Sequence, residues 1–198
     1  MSFTTVLPLL LFVVVATASP GGATTTAAAS GARFGVRRSL PLIGGLVIGL
    51  ATLAVASAIG LAGLLLAAPF MQIVLKVVGT VYLLWLAWQI GKRGAPDLNR
   101  ALAQPPSFMS GACLQWLNPK AWAVTLGAAA SFAMVAAGPQ QLAALLGGAF
   151  GIVACFALTF WCAAGTVVAR RLRTDTHWRV FNATMAVLLI ASIVPMWR

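Results

Sequence analysis

The chain has 198 residues, of which 61% are hydrophobic and only 8% charged. With a mean hydropathy of +0.98, it has too little polar surface for a water-soluble domain. A formal charge of +11 first suggests nucleic acid, but the basic residues fall in short patches between long uncharged runs. That is the pattern of a multi-spanning membrane protein.

Residues 1–32, 39–75, 121–169 and 180–197 contain no Asp, Glu, Lys, Arg or His, and roughly 20 apolar residues suffice to cross the hydrocarbon core. Together with turn signals at Pro41, Pro69, Pro105, Pro106 and Pro139, these runs predict an all-α polytopic protein of about six transmembrane helices. The expected spans are 4–29, 40–66, 70–91, 111–135, 141–168 and 180–197, within a single transmembrane domain covering 1–198.

The first span resembles a secretory leader, with Val14, Ala16 and Ala18 ahead of Pro20-Gly21. Leaders open on a basic stretch, whereas here no Lys or Arg precedes Arg33, so the segment is read as part of the fold. Within it, Ser19-Pro20-Gly21-Gly22 sets a helix breaker in the middle of an apolar run. Lipid offers no partner to backbone groups freed by a break, so such a break survives only against protein or beside a wet cavity. Thr26, one turn further on, either hydrogen-bonds a solute or back-bonds to its own helix.

The second and fifth spans carry glycine clusters, Gly44, Gly45 and Gly49 in one and Gly147, Gly148 and Gly151 in the other. Glycines four apart let helix backbones approach closely in lipid, for an internal contact or for a homodimer. In the third span Lys76 is read as an interfacial anchor, Tyr82, Trp85 and Trp88 as packing or interfacial aromatics, and Gln89 as an interhelical hydrogen bonder. Asn182 in the sixth is read as Gln89 is.

In the fourth span Asn118-Pro119-Lys120 places a second breaker about one hundred residues after the first. Pro119 lacks an amide hydrogen and clashes with the preceding turn, and Asn118 is suited to satisfy the groups it frees. An ammonium at the depth of Lys120 costs about 2.5–3.5 kcal/mol at a helix centre without a partner. Two readings stand for it: Lys120 holds the carboxylate of an amino-acid-like solute, or it snorkels as an interface anchor. Pro20, Gly21, Gly22, Thr26, Asn118, Pro119 and Lys120 form the candidate substrate site.

Basic residues sit between alternate spans: Arg33, Arg37 and Arg38; Lys92, Arg93 and Arg100; Arg170, Arg171, Arg173 and Arg179. Excess Lys and Arg stay in the cytoplasm, so both termini are expected outside. The two breaks and the two glycine clusters further suggest two inverted three-helix repeats, 1–91 and 111–198, joined by a cytoplasmic connection over 92–110.

Pro20-Gly21 after an apolar start, the basic turn from Gly31 to Arg38, Leu75-Lys76-x-x-Gly79-x-x-Tyr82-Leu83-Leu84-Trp85-Leu86, and Leu117-Asn118-Pro119-Lys120-Ala121 resemble the lysine exporter (LysE/RhtB) translocator family over nearly the whole chain. The resemblance implies a bacterial inner-membrane exporter of amino acids or related small metabolites, driven by the proton motive force. Members usually read Pro-Gly-Pro followed by Asp or Asn in the first helix, whereas this chain reads Pro20-Gly21-Gly22-Ala23. No side chain at 23 can bind an ammonium or a proton.

The only carboxylates, Asp97 and Asp175, fall in expected connections, which disfavours a lysine or arginine cargo and favours a small neutral or zwitterionic one. His177, the sole histidine, lies in a polar connection and reads as solvated. An enzyme would need a cluster of acid, base or metal ligands, and a thiol carrier would need paired reactive cysteines. Cys113, Cys155 and Cys162 are scattered, the last two on roughly one helix face. The expected partners are a small-molecule substrate, the lipid bilayer and a possible second copy, with no nucleic acid and no cofactor.

Overall fold

The computed structural model describes residues 3–61, 69–92, 106–171 and 174–191. Among them the chain forms seven α-helices: α1 (Phe3–Ala18), α2 (Gly22–Ala56), α3 (Pro69–Gly91), α4 (Phe108–Trp116), α5 (Pro119–Ser131), α6 (Pro139–Ala169) and α7 (Asp175–Ala191). A π turn at Ser57–Leu61 prolongs α2, and a 3₁₀ turn at Ala133–Val135 follows α5. No strand occurs among the described residues.

The expected first and second spans are joined in a way composition does not announce. Residues 30–39 form no open loop; helix runs through the basic turn and is interrupted only at Gly35, with φ 76° and ψ 167°. Glycine reaches that left-handed region without a Cβ penalty, so one residue reverses the chain while Arg37 and Arg38 already belong to the next limb. The buried hydroxyls of Ser30 and Ser39 meet across the corner at 2.8 Å, satisfying polar groups removed from the surface.

The third and fifth spans lie close to expectation, as α3 and α6. The sixth begins earlier, at Asp175, where the carboxylate sits in the first turn and pairs with Arg179 at 2.7 Å; an acid there complements the helix dipole. Residues 62–66 and 192–197 of the expected spans, most of the 92–110 connection with Arg93, Asp97 and Arg100, and Arg173 lie outside the described residues, as do the side chains of Lys76 and Tyr82. Trp85 and Trp88 are exposed, and the Lys92 ammonium lies 3.5 Å from the centre of the Trp88 ring.

The core is the seam where α2 meets α6 and α4, filled by Leu42, Leu46, Leu50, Leu53, Leu146, Phe150 and Leu158. Two crossings there, α2 on α6 and α2 on α4, are backbone against backbone. A Cβ on Gly31 would strike the Cys162 carbonyl, one on Gly165 the Ala28 carbonyl, one on Gly45 the Phe108 carbonyl, and one on Gly111 the Leu42 carbonyl. These glycines replace side-chain interdigitation, which in lipid is the main source of helix affinity. Thr166 Oγ1 ties one crossing by donating to Gly31 O at 2.9 Å. Gly148 and Gly127, by contrast, face open space.

The outer surface is apolar. Ile152, Phe156 and Phe160 follow one another four residues apart along α6 and are 63%, 75% and 69% exposed. Both Gly22–Gly60 and Pro139–Ala169 reach a mean hydropathy above 2. Contiguous apolar faces of this size would aggregate in water, and lipid is the solvent they suit.

Candidate functional site

Both expected breaks are present, and they meet. α1 ends at Ala18 and α2 begins at Gly22, leaving Ser19-Pro20-Gly21 as the bend. α4 ends at Trp116 and α5 begins at Pro119, leaving Leu117-Asn118. Pro119 takes the first helical position, where a missing amide hydrogen costs nothing. Asn118 caps the helix it opens: its Oδ1 accepts from the Lys120 amide at 3.1 Å, and its Nδ2 donates to Gln115 Oε1 at 3.3 Å.

Lys120 bridges the two breaks. Its ammonium donates to Ser19 O at 2.9 Å, Ser19 Oγ at 2.7 Å and Pro20 O at 3.2 Å. The last carbonyls of a helix lack intrahelical partners and carry partial negative charge, so the C-terminal end of α1 serves as the counter-charge that no carboxylate among the described residues supplies. The arrangement keeps the side chain half-buried and turned into protein. Gly21 makes room for it, since a Cβ there would sit 3.0 Å from Lys120 Cδ and 3.1 Å from Nζ.

On the far side of the bend the first turn of α2 presents amides without intrahelical acceptors, and Thr24 Oγ1 takes the Gly21 amide at 2.8 Å. Opposite helix polarities therefore lie within one short bend. A small cavity opens beside it, walled by Leu50, Phe150 and Leu158 and given polar character by Thr17, Ser19, Thr24, Gln115, Asn118 and Lys120. Its room for the centres of water-sized molecules is about 40 Å³, enough for a few waters.

Of the candidate residues, Gly21, Gly22, Asn118 and Lys120 line this cavity. Pro20 contributes its carbonyl to Lys120, and Pro119 is buried at the head of α5. Thr26 does not line it; its hydroxyl is buried without a partner deeper in α2. Sequence reasoning passed over Thr17, whose hydroxyl is buried without a partner at the cavity wall, and Gln115. Gln115 had a usable signal, a polar residue three before Asn118 on an otherwise apolar helix face.

Outside the site, Trp161 Nε1 donates to Ala18 O at 3.0 Å, holding another end carbonyl of α1. No group of three or more potential metal-ligating side chains occurs among the described residues. Cys155 is exposed, whereas Cys162 is buried under α2. Their two-turn spacing on one helix line therefore leads to different environments and not to a shared thiol face.

The family model for LysE type translocators matches residues 14–192. The chain belongs to that family. It is a polytopic membrane transporter and not an enzyme. Curated relatives include the cysteine/O-acetylserine efflux proteins of Salmonella choleraesuis and Salmonella typhimurium, each 30% identical over 159 residues, covering 79% of this chain and 78% of theirs. That of Klebsiella pneumoniae is 34% identical over 87 residues, 43% of each chain. No solved structure matches.

Proposed function

We propose that this translocator exports small zwitterionic or neutral amino acids, of the kind named for its cysteine/O-acetylserine relatives, from the cytoplasm of a bacterium across the inner membrane. The observation that carries the proposal is the Lys120 bridge, which joins the two broken helices beside a polar cavity in an otherwise apolar bundle. Lys120 and the first-turn amides of α2 receive the substrate carboxylate, with Pro20, Gly21, Gly22, Asn118 and Pro119 shaping the pocket. Thr26, whose buried hydroxyl has no partner, belongs to it only when α2 shifts.

In this reading both termini face outward, the basic patches face the cytoplasm, and two three-helix halves rock against each other about the bridge. The proton motive force drives the cycle. Efflux from loaded proteoliposomes with a panel of amino acids, with and without an imposed pH gradient, tests it. Gradient-stimulated loss of cysteine or O-acetylserine is expected, and movement of none of the panel would overturn it.

A further inference from the structure

An ammonium already sits in the site, and it belongs to the protein. Ser19 O, Ser19 Oγ and Pro20 O converge on Lys120 Nζ at 2.9, 2.7 and 3.2 Å, a tripod of acceptors matched to the three hydrogens of a primary ammonium. Ser19 Oγ spends its own hydrogen on Ala16 O at 3.0 Å, so it meets the ammonium only as an acceptor. The remaining polar character of the tripod comes from the negative end of the α1 dipole.

We infer that this tripod is the receptor for the substrate's own ammonium group, and that Lys120 fills it as a tethered stand-in while the transporter is empty. The inference rests on the export reading above and names the part of the substrate which that reading leaves unassigned.

Three features support the exchange. The cavity's room for the centres of water-sized molecules is about 40 Å³, so a solute the size of cysteine needs further space, and a swing of the Lys120 side chain out of the tripod provides it. The swing is short in reach, because the Lys120 stem packs over Gly21 beside the first turn of α2, where the substrate carboxylate would lie. The charges also balance. An incoming zwitterion places its ammonium on the tripod and its carboxylate on the displaced Lys120, and the buried net charge is unchanged. An amine without a carboxylate would set two cations side by side, and a carboxylate without an amine would leave the tripod empty once Lys120 left it. Both are poor ligands for the same reason, that one pole of the site goes unpaired.

The test uses one carbon skeleton with its poles removed in turn. Proteoliposomes under reducing conditions are loaded with L-cysteine, N-acetyl-L-cysteine, 3-mercaptopropionate or cysteamine. Efflux of the last three is expected to fall about ten- to hundredfold below that of L-cysteine, and equal efflux of N-acetyl-L-cysteine would overturn the inference. A second arm measures thermal stability of Lys120→Ala and Lys120→Met, either of which empties the tripod. Methylammonium is expected to raise the melting temperature of these variants and to leave the wild type unmoved, with the rise lost on adding Ser19→Ala. Tetramethylammonium, which has no hydrogen to donate, is expected to do nothing, and an equal response to both cations would overturn the inference. If no cysteine or other amino acid moves while methylammonium still stabilises the variants, the export reading fails and the tripod stands as an ammonium receptor.

Discussion

Replacing Gly45 with Ala puts a methyl group where the structure has two backbones in contact. The new Cβ would lie 2.8 Å from the Phe108 carbonyl carbon and 3.0 Å from the Ala112 amide nitrogen, with the Phe108 oxygen nearer still. None of these atoms can swing aside as a side chain would, so α4 must withdraw by roughly 1.5 Å to reach ordinary contact. A gap of that size forfeits more than about half of each pairwise attraction along the seam, and overpacking of this kind costs about 1–3 kcal/mol. Gly148→Ala is the internal control: nothing lies within 4 Å of its Cβ, and Ala is favoured over Gly in a helix by about 0.8–1.0 kcal/mol. Gly45 is helical too, so this gain is common to both positions and the two variants should separate by about 1–3 kcal/mol, with Gly45→Ala the less stable, measured as melting temperature in a single detergent and as membrane abundance. Because α4 leads to Asn118, Gly45→Ala should also depress transport per molecule in the membrane. Equal stability of the two variants would refute the backbone-contact account of this core.

Lys120→Met should reduce cysteine efflux by at least about tenfold, as loss of a charge-assisted contact implies, while membrane abundance stays within twofold (~0.4 kcal/mol); efflux at the wild-type level would return Lys120 to a passive anchor. Gly35→Ala meets no neighbour, yet it forces a Cβ into a positive-φ, extended-ψ conformation that is essentially reserved for glycine and costs about 1–3 kcal/mol, so destabilisation without any packing clash is expected in the same melting assay, and an unchanged melting temperature would argue against the kink. Trp161→Phe removes the hydrogen bond to Ala18 O and should cost about 1 kcal/mol, read as a lower melting temperature. Cys113, Cys155 and Cys162 replaced together by Ala should retain efflux, because none is paired in the structure; loss of transport with normal abundance would reopen a redox role.

The helices were readable because lipid leaves few options: an uncharged run of the right length must be helical. The breaks were readable for the same reason, since Pro20 and Pro119 interrupt runs that otherwise have no cause to stop. The corner at Gly35 was not, because one left-handed glycine between arginines looks like any basic loop until its neighbours are known to be helical. Lys120 was legible as an expensive charge, yet its partner was hidden. Backbone carbonyls of Ser19 and Pro20 carry no sequence signal, and no carboxylate among the described residues pairs with Lys120. Thr17 escaped notice because its importance lies in having no partner, which only three-dimensional neighbours can reveal.

The bend at Ser19-Pro20-Gly21 presents facing ends of two helices without a single acidic side chain. Most of its electrical character is thus written into the main chain, through the carbonyls of Ser19 and Pro20, with Ser19 Oγ the one side-chain acceptor on Lys120. Retuning such a carrier for a different cargo should accordingly start at Leu50, Phe150 and Leu158, whose bulk limits what fits, and leave the hinge itself untouched.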